Sequence, residues 1–236
     1  MISYKPMSDK PSVRSPWFWV PSLYFAQGIP YVAVMIVSVL MYKRLGVSNT
    51  DIALYTSWLN LPWVIKPFWS PFVDLLKTKR WWVATMQLLI GAGLAGVAFT
   101  IPTTFFFQAS LAVFWLLAFS SATHDIAADG FYMLALDSHE QAFFVGIRST
   151  FYRIAIIAGQ GVLVMFAGFL ENSTGNIPLA WSVTFFILGG LFLALFLYHR
   201  YILPLPKGDK PSATVTPSTI LKEFFATFAS FFKKKQ

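Results

Sequence analysis

Two carboxylates and an imidazole lie close together in a strongly apolar part of the chain. The stretch SSATHDIAADGFYMLAL, residues 120–136, contains His124, Asp125 and Asp129. On a helix, Asp125 and Asp129 share one face, where they repel each other unless a cation approaches or one of them binds a proton. His124 is turned by about 100° from Asp125 on the same helix. These residue types favour a proton-handling membrane site or a network of buried ion pairs.

Two cations in other apolar stretches supply the opposite charge. Lys66 lies about 22 Å from the outer end of its predicted span, and Arg153 about 27 Å from the outer end of its own, at 1.5 Å per residue. Ionisable side chains within a span are unfavourable unless they are paired or hydrated. We therefore predict that Lys66 and Arg153 meet Asp125 and Asp129 in the inner half of the membrane. Three roles stay open for the cluster, which can move protons, hold three helices together or lie in interfacial water.

A membrane enzyme with a metal site is a different interpretation of His124 and the aspartates. The other histidines, His139 and His199, lie near loops, so no second histidine shares a span at helical spacing. The chain also has no cysteine to supply a thiolate ligand. We expect no metal and no bound cofactor, with a proton gradient as the energy source. An enzyme acting on a lipid-linked substrate stays as an alternative function.

Polar residues and helix breakers coincide in the first two apolar stretches. The first contains YFAQGIPYV and the second contains LNLPWVIKP. Glycine and proline allow bends, which a membrane tolerates where protein or a cavity supplies hydrogen-bond partners. Irregular helices with polar side chains are what a transport cavity requires. We predict that four residues line such a cavity: Tyr24, Gln27, Trp58 and Asn60.

Composition and periodicity predict an all-α membrane protein. Of the 236 residues, 56% are hydrophobic and 12% are charged, whereas soluble domains have about 25% charged residues. A helix needs about 20 apolar residues to cross a bilayer, and the long runs lack the alternation of strands. The predicted fold is a six-transmembrane-helix bundle. Its spans are Trp17–Tyr42, Ile52–Leu76, Trp81–Ile101, Thr104–Leu136, Gly146–Leu170 and Leu179–Tyr201.

The positive charges are distributed unevenly between the loops of this bundle. Most Lys and Arg residues fall in the terminal segments and in the loop after the second span, whereas Lys43 and Arg44 lie in an opposite loop. The positive-inside rule then places both termini in the cytoplasm. The net charge of +8 thus reports orientation, so nucleic acid is not an expected partner. The predicted regions are a cytoplasmic tail (1–16), the bundle (17–201) and a cytoplasmic linker (202–236) with an amphipathic helix over 216–232.

The loop after the second predicted span carries a recognisable pattern. In SPFVDLLKTKR, residues 70–80, a small residue is followed by an acid four positions later and then by a basic pair. Ser70, Asp74, Lys79 and Arg80 match the loop signature of the major facilitator superfamily. Together with YFAQGIPYV, KPFWSPFVD and ATHDIAADG, this pattern resembles the AmpG-type muropeptide permeases and their acetyl-coenzyme A transporter relatives. Two positions depart from the loop signature: Leu75 and Lys77.

The resemblance implies a proton-driven symporter in the bacterial inner membrane. Such permeases import anhydro-muropeptides by alternating access between two six-helix bundles, about twelve spans in all. This chain would then be the N-terminal half, with Asp74, Lys79 and Arg80 in a conformational latch. The expected partners are membrane lipids, a small polar solute, and either the missing C-terminal half or a second copy. A self-contained six-span homodimeric channel or transporter stays as an alternative.

Overall fold

Five long apolar helices dominate the part of the chain that the structure describes. The structure is a computed structural model that describes residues 15–211. Within this range there are helices and loops but no strands, and each long helix is apolar enough to cross a bilayer. The chain is therefore a multi-pass membrane protein. The long helices are α1 (Pro16–Arg44), α2 (Lys79–Thr100), α3 (Phe106–Ala135), α4 (Ser138–Thr174) and α5 (Ile177–Ile202).

The predicted second span, Ile52–Leu76, is not a continuous helix. It is replaced by five short pieces, here named the broken segment: Asn49–Thr56, Ser57–Asn60, Leu61–Val64, Lys66–Phe68 and Ser70–Leu76. Pro62, Pro67 and Pro71 each occupy the second position of one of these pieces. Proline lacks a backbone N–H and fits the first turn of a helix, so each proline ends one piece and begins another. Of the six predicted spans, five are long helices in the described residues, and the second is an interrupted segment.

Four of the long helices agree with their predicted spans to within two residues at each end, and α4 does not. The α4 helix begins at Ser138 instead of Gly146. Asp137 forms a capping box with Glu140, in which the Glu140 amide donates to Asp137 over 2.9 Å and the Asp137 amide donates to Glu140 over 3.1 Å. This cap satisfies the first amides of the helix in a polar stretch, so α4 extends beyond the apolar run.

Helices α1 and α4 are both distorted and pack closely together. Each contains one wider π-helical turn, Ala33–Val37 in α1 and Gly159–Leu163 in α4. A Cβ at Gly28 would lie 2.7 Å from the Ala155 Cβ, and one at Gly159 would lie 2.1 Å from Val32. Glycine therefore allows the two helices to approach at both levels.

Buried apolar residues form two clusters along the bundle. In three of the helices, a buried polar residue lies between the part that belongs to the first cluster and the part that belongs to the second. In α3, Phe114 belongs to the first cluster and Phe131 to the second. His124 lies between them in α3, as Gln87 does in α2 and His199 in α5. The packing of the helices thus brings polar groups of several spans to a common level.

The predicted terminal regions fall largely outside the described residues. The tail over 1–16 is described only at its last two residues, and the linker over 202–236 only as far as residue 211. The predicted amphipathic helix over 216–232 lies entirely outside the described range and stays a prediction.

Candidate functional site

The first ion pair of the site joins the broken segment to α3. Lys66 Nζ lies 2.5 Å from Asp125 Oδ2, as the balanced charges predicted. Lys66 is the first residue of a short helix and directly follows the break at Ile65. Its side chain is 28% exposed, whereas Asp125 is buried. Two buried oxygen atoms accept no hydrogen bond from the described residues. They are Asp125 Oδ1 and Gln27 Oε1. A buried acceptor of this kind is stabilised by a proton or by a donor group of a bound solute.

The second carboxylate is held by a tyrosine and an arginine. The Tyr24 hydroxyl donates to Asp129 Oδ1 over 2.9 Å. Arg148 Nη1 donates to Tyr24 over 3.0 Å and lies 3.3 Å from the same Asp129 oxygen. The Arg148 guanidinium also lies over the Tyr24 ring at 5.3 Å and over the Tyr132 ring at 4.9 Å. Arg148 therefore combines a charge pair with cation–π contacts, which together fix its position.

Arg148, and not Arg153, provides the second cation. The sequence placed Arg153 beside the aspartates, but the structure leaves it exposed, without a hydrogen bond or ion pair to any described residue. Arg148 lies near the cytoplasmic end of the predicted span Gly146–Leu170, where its charge indicates orientation. The capping box at Asp137 is a signal that could have found it, because a helix that starts at Ser138 places Arg148 within the helix instead of at its end. We name Tyr24, Lys66, Asp125, Asp129 and Arg148 the ionic cluster.

Arg153 belongs instead to a polar face of α4. Between residues 146 and 170, away from its two ends, this helix has four exposed polar residues: Ser149, Thr150, Arg153 and Gln160. Their spacing places them on one side of the helix. Because polar and charged groups are unfavourable against lipid, this face indicates contact with water or protein. Of the predicted cavity residues, Gln27 is buried, Trp58 is 60% exposed and Asn60 is partly exposed. Neither Trp58 nor Asn60 forms a hydrogen bond with the ionic cluster.

His124 belongs to a separate cluster on the other side of α3. Gln87 Nε2 lies 3.1 Å from His124 Nε2, and Gln87 Oε1 lies 3.0 Å from His199 Nδ1. His199 Nε2 in turn lies 3.0 Å from the Ser22 hydroxyl. We name these four residues the histidine cluster. Its two imidazoles and its amide are fully buried, and the four residues come from α3, α2, α5 and α1.

The hydrogen-bond geometry of the histidine cluster fits neutral imidazoles. The Gln87 amide nitrogen donates to His124, and its oxygen accepts from His199, so one amide determines which nitrogen of each ring carries the proton. The Ser22 hydroxyl, which also lies 3.2 Å from the Trp19 carbonyl oxygen, can then donate its one proton to His199. The remaining His124 nitrogen, Nδ1, is buried without a partner among the described residues. Among the described residues no three metal-ligating side chains converge. The cluster is therefore a hydrogen-bonded chain between helices.

The predicted latch residues meet at the end of the bundle where α2 begins. Lys79 forms an ion pair with Asp74, and Arg80 donates to the backbone oxygen of Arg200 in α5. Asp209, which sequence reasoning missed, accepts from the Lys79 amide over 2.5 Å and from the Arg80 amide over 3.0 Å. A carboxylate at the first amides of a helix satisfies free donors and complements the helix dipole.

A tight helix contact fixes the position of the Lys79 side chain. A Cβ at Gly130 of α3 would lie 2.9 Å from Lys79 Cε, so a larger residue at this position would displace the lysine. The three predicted latch residues are thus brought together, and the segment after α5 is attached to the same point by Asp209. The arrangement ties α2, α3 and α5 to one another at this end.

Comparison with known proteins relates this chain to the same permeases as the sequence motifs do. The profile of the BT1 family matches residues 25–231. AmpG 4 of Rickettsia conorii is 29% identical over 72% of this chain and 41% of its own length. AmpG 4 of Rickettsia felis is 26% identical over 90% of this chain and 51% of its own length. The anhydromuropeptide permease of Escherichia coli K12 is 24% identical over 89% of this chain and 41% of its own length.

The chain spans about half the length of these curated relatives, or somewhat less. The matched region runs from α1 to beyond α5 and contains the ionic cluster except Tyr24, the histidine cluster except Ser22, and the predicted latch residues. The resemblance to AmpG-type permeases is therefore confirmed. Because the family profile covers most of its residues, this chain belongs to the BT1 family.

Proposed function

We propose that this protein is a proton-coupled secondary transporter of the major facilitator type. The observation that carries the proposal is the ionic cluster, in which α1, α3, α4 and the broken segment bring two acids and two bases together within the membrane-spanning part of the chain. Charged groups in a span are rare and mark ion or substrate pathways. The break before Lys66 and the wider turns in α1 and α4 are irregular backbone of the kind that lines transport cavities.

The proposed coupling step exchanges partners at the Lys66–Asp125 pair. While Asp125 is ionised, its Oδ2 holds the Lys66 ammonium at 2.5 Å. A proton bound at Asp125 would neutralise this carboxylate and release Lys66 to bind a carboxylate of the solute. Because the exposed fraction of Lys66 exceeds that of Asp125, the lysine is the member of the pair that faces an incoming solute. We propose the same exchange for the second pair: a proton bound at Asp129 would release Arg148 to bind the solute.

The proposed solute is an anhydro-muropeptide or a similar polar molecule. Support comes from the name of the Escherichia coli relative and from the chemistry of the site. Peptidoglycan fragments carry carboxylates and many hydroxyl groups, and the polar face of α4 offers Arg153 with hydroxyl and amide side chains. A single Arg or Lys can bind a carboxylate, while neutral donors and acceptors orient the sugar.

The proposed architecture is a half of a two-bundle transporter in which the broken segment crosses the membrane as a sixth, interrupted span. Membrane proteins tolerate such interruptions where the backbone is covered by protein or lines a cavity. We place both termini of the bundle in the cytoplasm of a bacterial cell, with the protein in the inner membrane. The chain has no cysteine, so single cysteines can map this topology directly.

The topology test uses Ser48→Cys and Lys77→Cys, which flank the broken segment. If the segment crosses the membrane, a membrane-impermeant thiol reagent added to intact cells labels one position, and labels the other only after permeabilisation. Labelling of both positions from the same side would refute the sixth span. Ser138→Cys is the reference position. Because α2 and α3 both cross the membrane between residues 77 and 138, it should be labelled from the same side as Lys77→Cys.

The functional test measures accumulation of labelled anhydro-muropeptide in cells that lack their own uptake system and carry the full reading frame. We expect accumulation under an imposed inward proton gradient, its loss with a protonophore, and its loss in Asp125→Asn but not in Asp51→Asn. Uptake that only equilibrates and ignores the protonophore would contradict proton coupling. Recovery of the label as a chemically altered product would favour the membrane-enzyme alternative.

A further inference from the structure

A polar cavity of about 350 Å³ opens between α2, α5 and the segment that follows α5. Its charged lining consists of Arg80, Arg200 and Asp209. The Asp209 carboxylate already accepts two backbone amides of α2, so it is engaged within the protein. The Arg200 side chain is exposed and donates no hydrogen bond to the described residues. The cavity therefore carries a net positive charge and has at least one guanidinium available to a ligand.

The walls of this cavity become apolar toward the middle of the bundle. Trp81, Ala84 and Leu88 of α2 face Phe196 of α5 across it. Leu88 also lines a second cavity of about 410 Å³, which lies further along the same two helices. The second cavity is lined only by apolar residues and glycine: Leu88, Gly91, Ala92, Ala95, Phe186, Gly189, Gly190 and Leu193. The two cavities therefore form one groove with a charged end and an apolar end.

The dimensions and position of this groove fit a lipid molecule. From Trp81 to Ala95 it follows α2 for about 21 Å at 1.5 Å per residue. A leaflet of the hydrocarbon core is about 15 Å deep, half of the roughly 30 Å core. Basic pockets between transmembrane helices at a membrane surface bind anionic headgroups. We propose that the groove between α2 and α5 binds an anionic phospholipid, with its phosphate at Arg80 and Arg200 and one acyl chain along Gly190.

The glycines of the groove have two different roles. Gly91 and Gly189 hold α2 and α5 together, because a Cβ at either would lie within 3.2 Å of the other helix. Gly190 differs, since a Cβ there would meet no atom within 4 Å and would project into open space. A larger side chain at Gly190 therefore fills the groove without separating the helices. Gly168 of α4 also has open space around it but lies outside the groove, which makes it a matched control.

The test compares lipid binding to the protein purified from its full reading frame, by native mass spectrometry with phosphatidylglycerol and phosphatidylcholine of identical acyl chains. We expect preferential binding of phosphatidylglycerol. Arg200→Gln should weaken that preference about fivefold, since one basic group near the surface contributes on that scale. Lys210→Gln, a cation at the same end but outside the polar cavity, should leave it unchanged. Gly190→Leu should weaken binding of phosphatidylglycerol, while Gly168→Leu should not.

Three results would overturn the proposal. Equal binding of the two lipids, unaffected by Arg200→Gln, would remove the headgroup site. Displacement of the lipid by inorganic phosphate at equal concentration would show that a soluble anion is the ligand. Displacement by a peptide covering residues 212–236 would show that the chain itself occupies the groove. All variants keep α2 and α5 in contact, so unchanged thermal unfolding in detergent verifies that each is folded.

Discussion

Adjacent residues of α3 belong to two polar clusters of opposite character. Asp125 is part of the ionic cluster, whereas His124 is part of the histidine cluster. The ionic cluster is partly open: 28% of the Lys66 side chain, 51% of Asp129 and 32% of Arg148 are exposed. His124, Gln87 and His199 are completely buried. One helix therefore presents a closed, neutral face and an accessible, charged face.

The difference follows from the elements that surround each face. The histidine cluster lies among α1, α2, α3 and α5, where its two imidazoles and its amide are not exposed to solvent. The ionic cluster is bounded by the broken segment and by the distorted helices α1 and α4. Charged groups that must change partners need water or a solute, while a neutral hydrogen-bonded chain can stay dry. We infer that the ionic cluster takes part in the proposed transport, whereas the histidine cluster holds its helices in place.

Removal of Lys66 gives the largest expected effect on stability. Lys66→Met leaves the buried Asp125 without its cation, so we expect a loss of about 3–5 kcal/mol in the free energy of unfolding. The double variant Lys66→Met/Asp125→Leu removes both charges and should regain most of that loss. Thermal unfolding in detergent measures both, with the exposed Lys43→Met as control.

Uptake separates the two roles of the same pair. We expect neither the single nor the double variant to accumulate anhydro-muropeptide. A double variant that is stable and also transports at the normal rate would show that the Lys66–Asp125 pair only holds helices together. The ionic cluster would then resemble the histidine cluster in function.

Disruption of the histidine cluster should destabilise the protein without altering the pH response. Gln87→Met keeps the length of the side chain but leaves two imidazole nitrogens without partners, each at a cost of about 1–3 kcal/mol. Gln108→Met, at an exposed position of α3, is the matched control. Uptake by folded Gln87→Met protein should keep its dependence on pH. Loss of that dependence with normal stability would assign proton transfer to this cluster.

The half-exposed Asp129 should contribute little to stability and much to coupling. Asp129→Asn keeps the hydrogen bond from Tyr24 but removes the charge, so the expected change in stability is about 1 kcal/mol or less. Uptake by this variant should no longer respond to the proton gradient, whereas Asp129→Glu should retain the response. A normal pH profile in Asp129→Asn would leave Asp125 as the proposed proton carrier.

Substitution of Arg153 has the smallest expected effect on folding. Because Arg153 is exposed and forms no hydrogen bond or ion pair with a described residue, Arg153→Gln should change stability by less than about 0.5 kcal/mol. If the polar face of α4 contacts the solute, the same variant should raise the KM of uptake, and Arg153→Lys should restore it in part. An unchanged KM would remove Arg153 from the proposed pathway.

The sequence predicted the long helices well because their signal is local. Apolar length and turn residues placed α1, α2, α3 and α5 to within two residues at each end. The interruption of the second span was visible in its prolines, which suggested a bend, but the number of breaks depends on how the pieces pack. The early start of α4 was missed because a polar first turn with a capping box does not appear in an apolar window.

Contacts between helices were predicted only where a charged side chain within a span needed a partner of opposite charge. Lys66 and Asp125 had to find opposite charges, so their pairing followed from approximate depth. The choice between Arg148 and Arg153 required the rotation of α4, which depth does not give. The bonds of Gln87 to His124 and His199 join residues 37 and 112 positions apart, and neutral side chains give no comparable signal in the sequence.

Because Asp209 caps α2 from a position late in the chain, this part of the bundle can form only after Asp209 has been synthesised. The first amide of α2, that of Lys79, donates to a carboxylate that lies 130 positions later in the chain. At a synthesis rate of about 5–20 residues per second, this delay lasts roughly 6–26 s. During that interval α2 can enter the membrane, but its first turn stays incomplete. The attachment of α2 to the segment after α5 is therefore a late event of biogenesis, available only after all five long helices have been made.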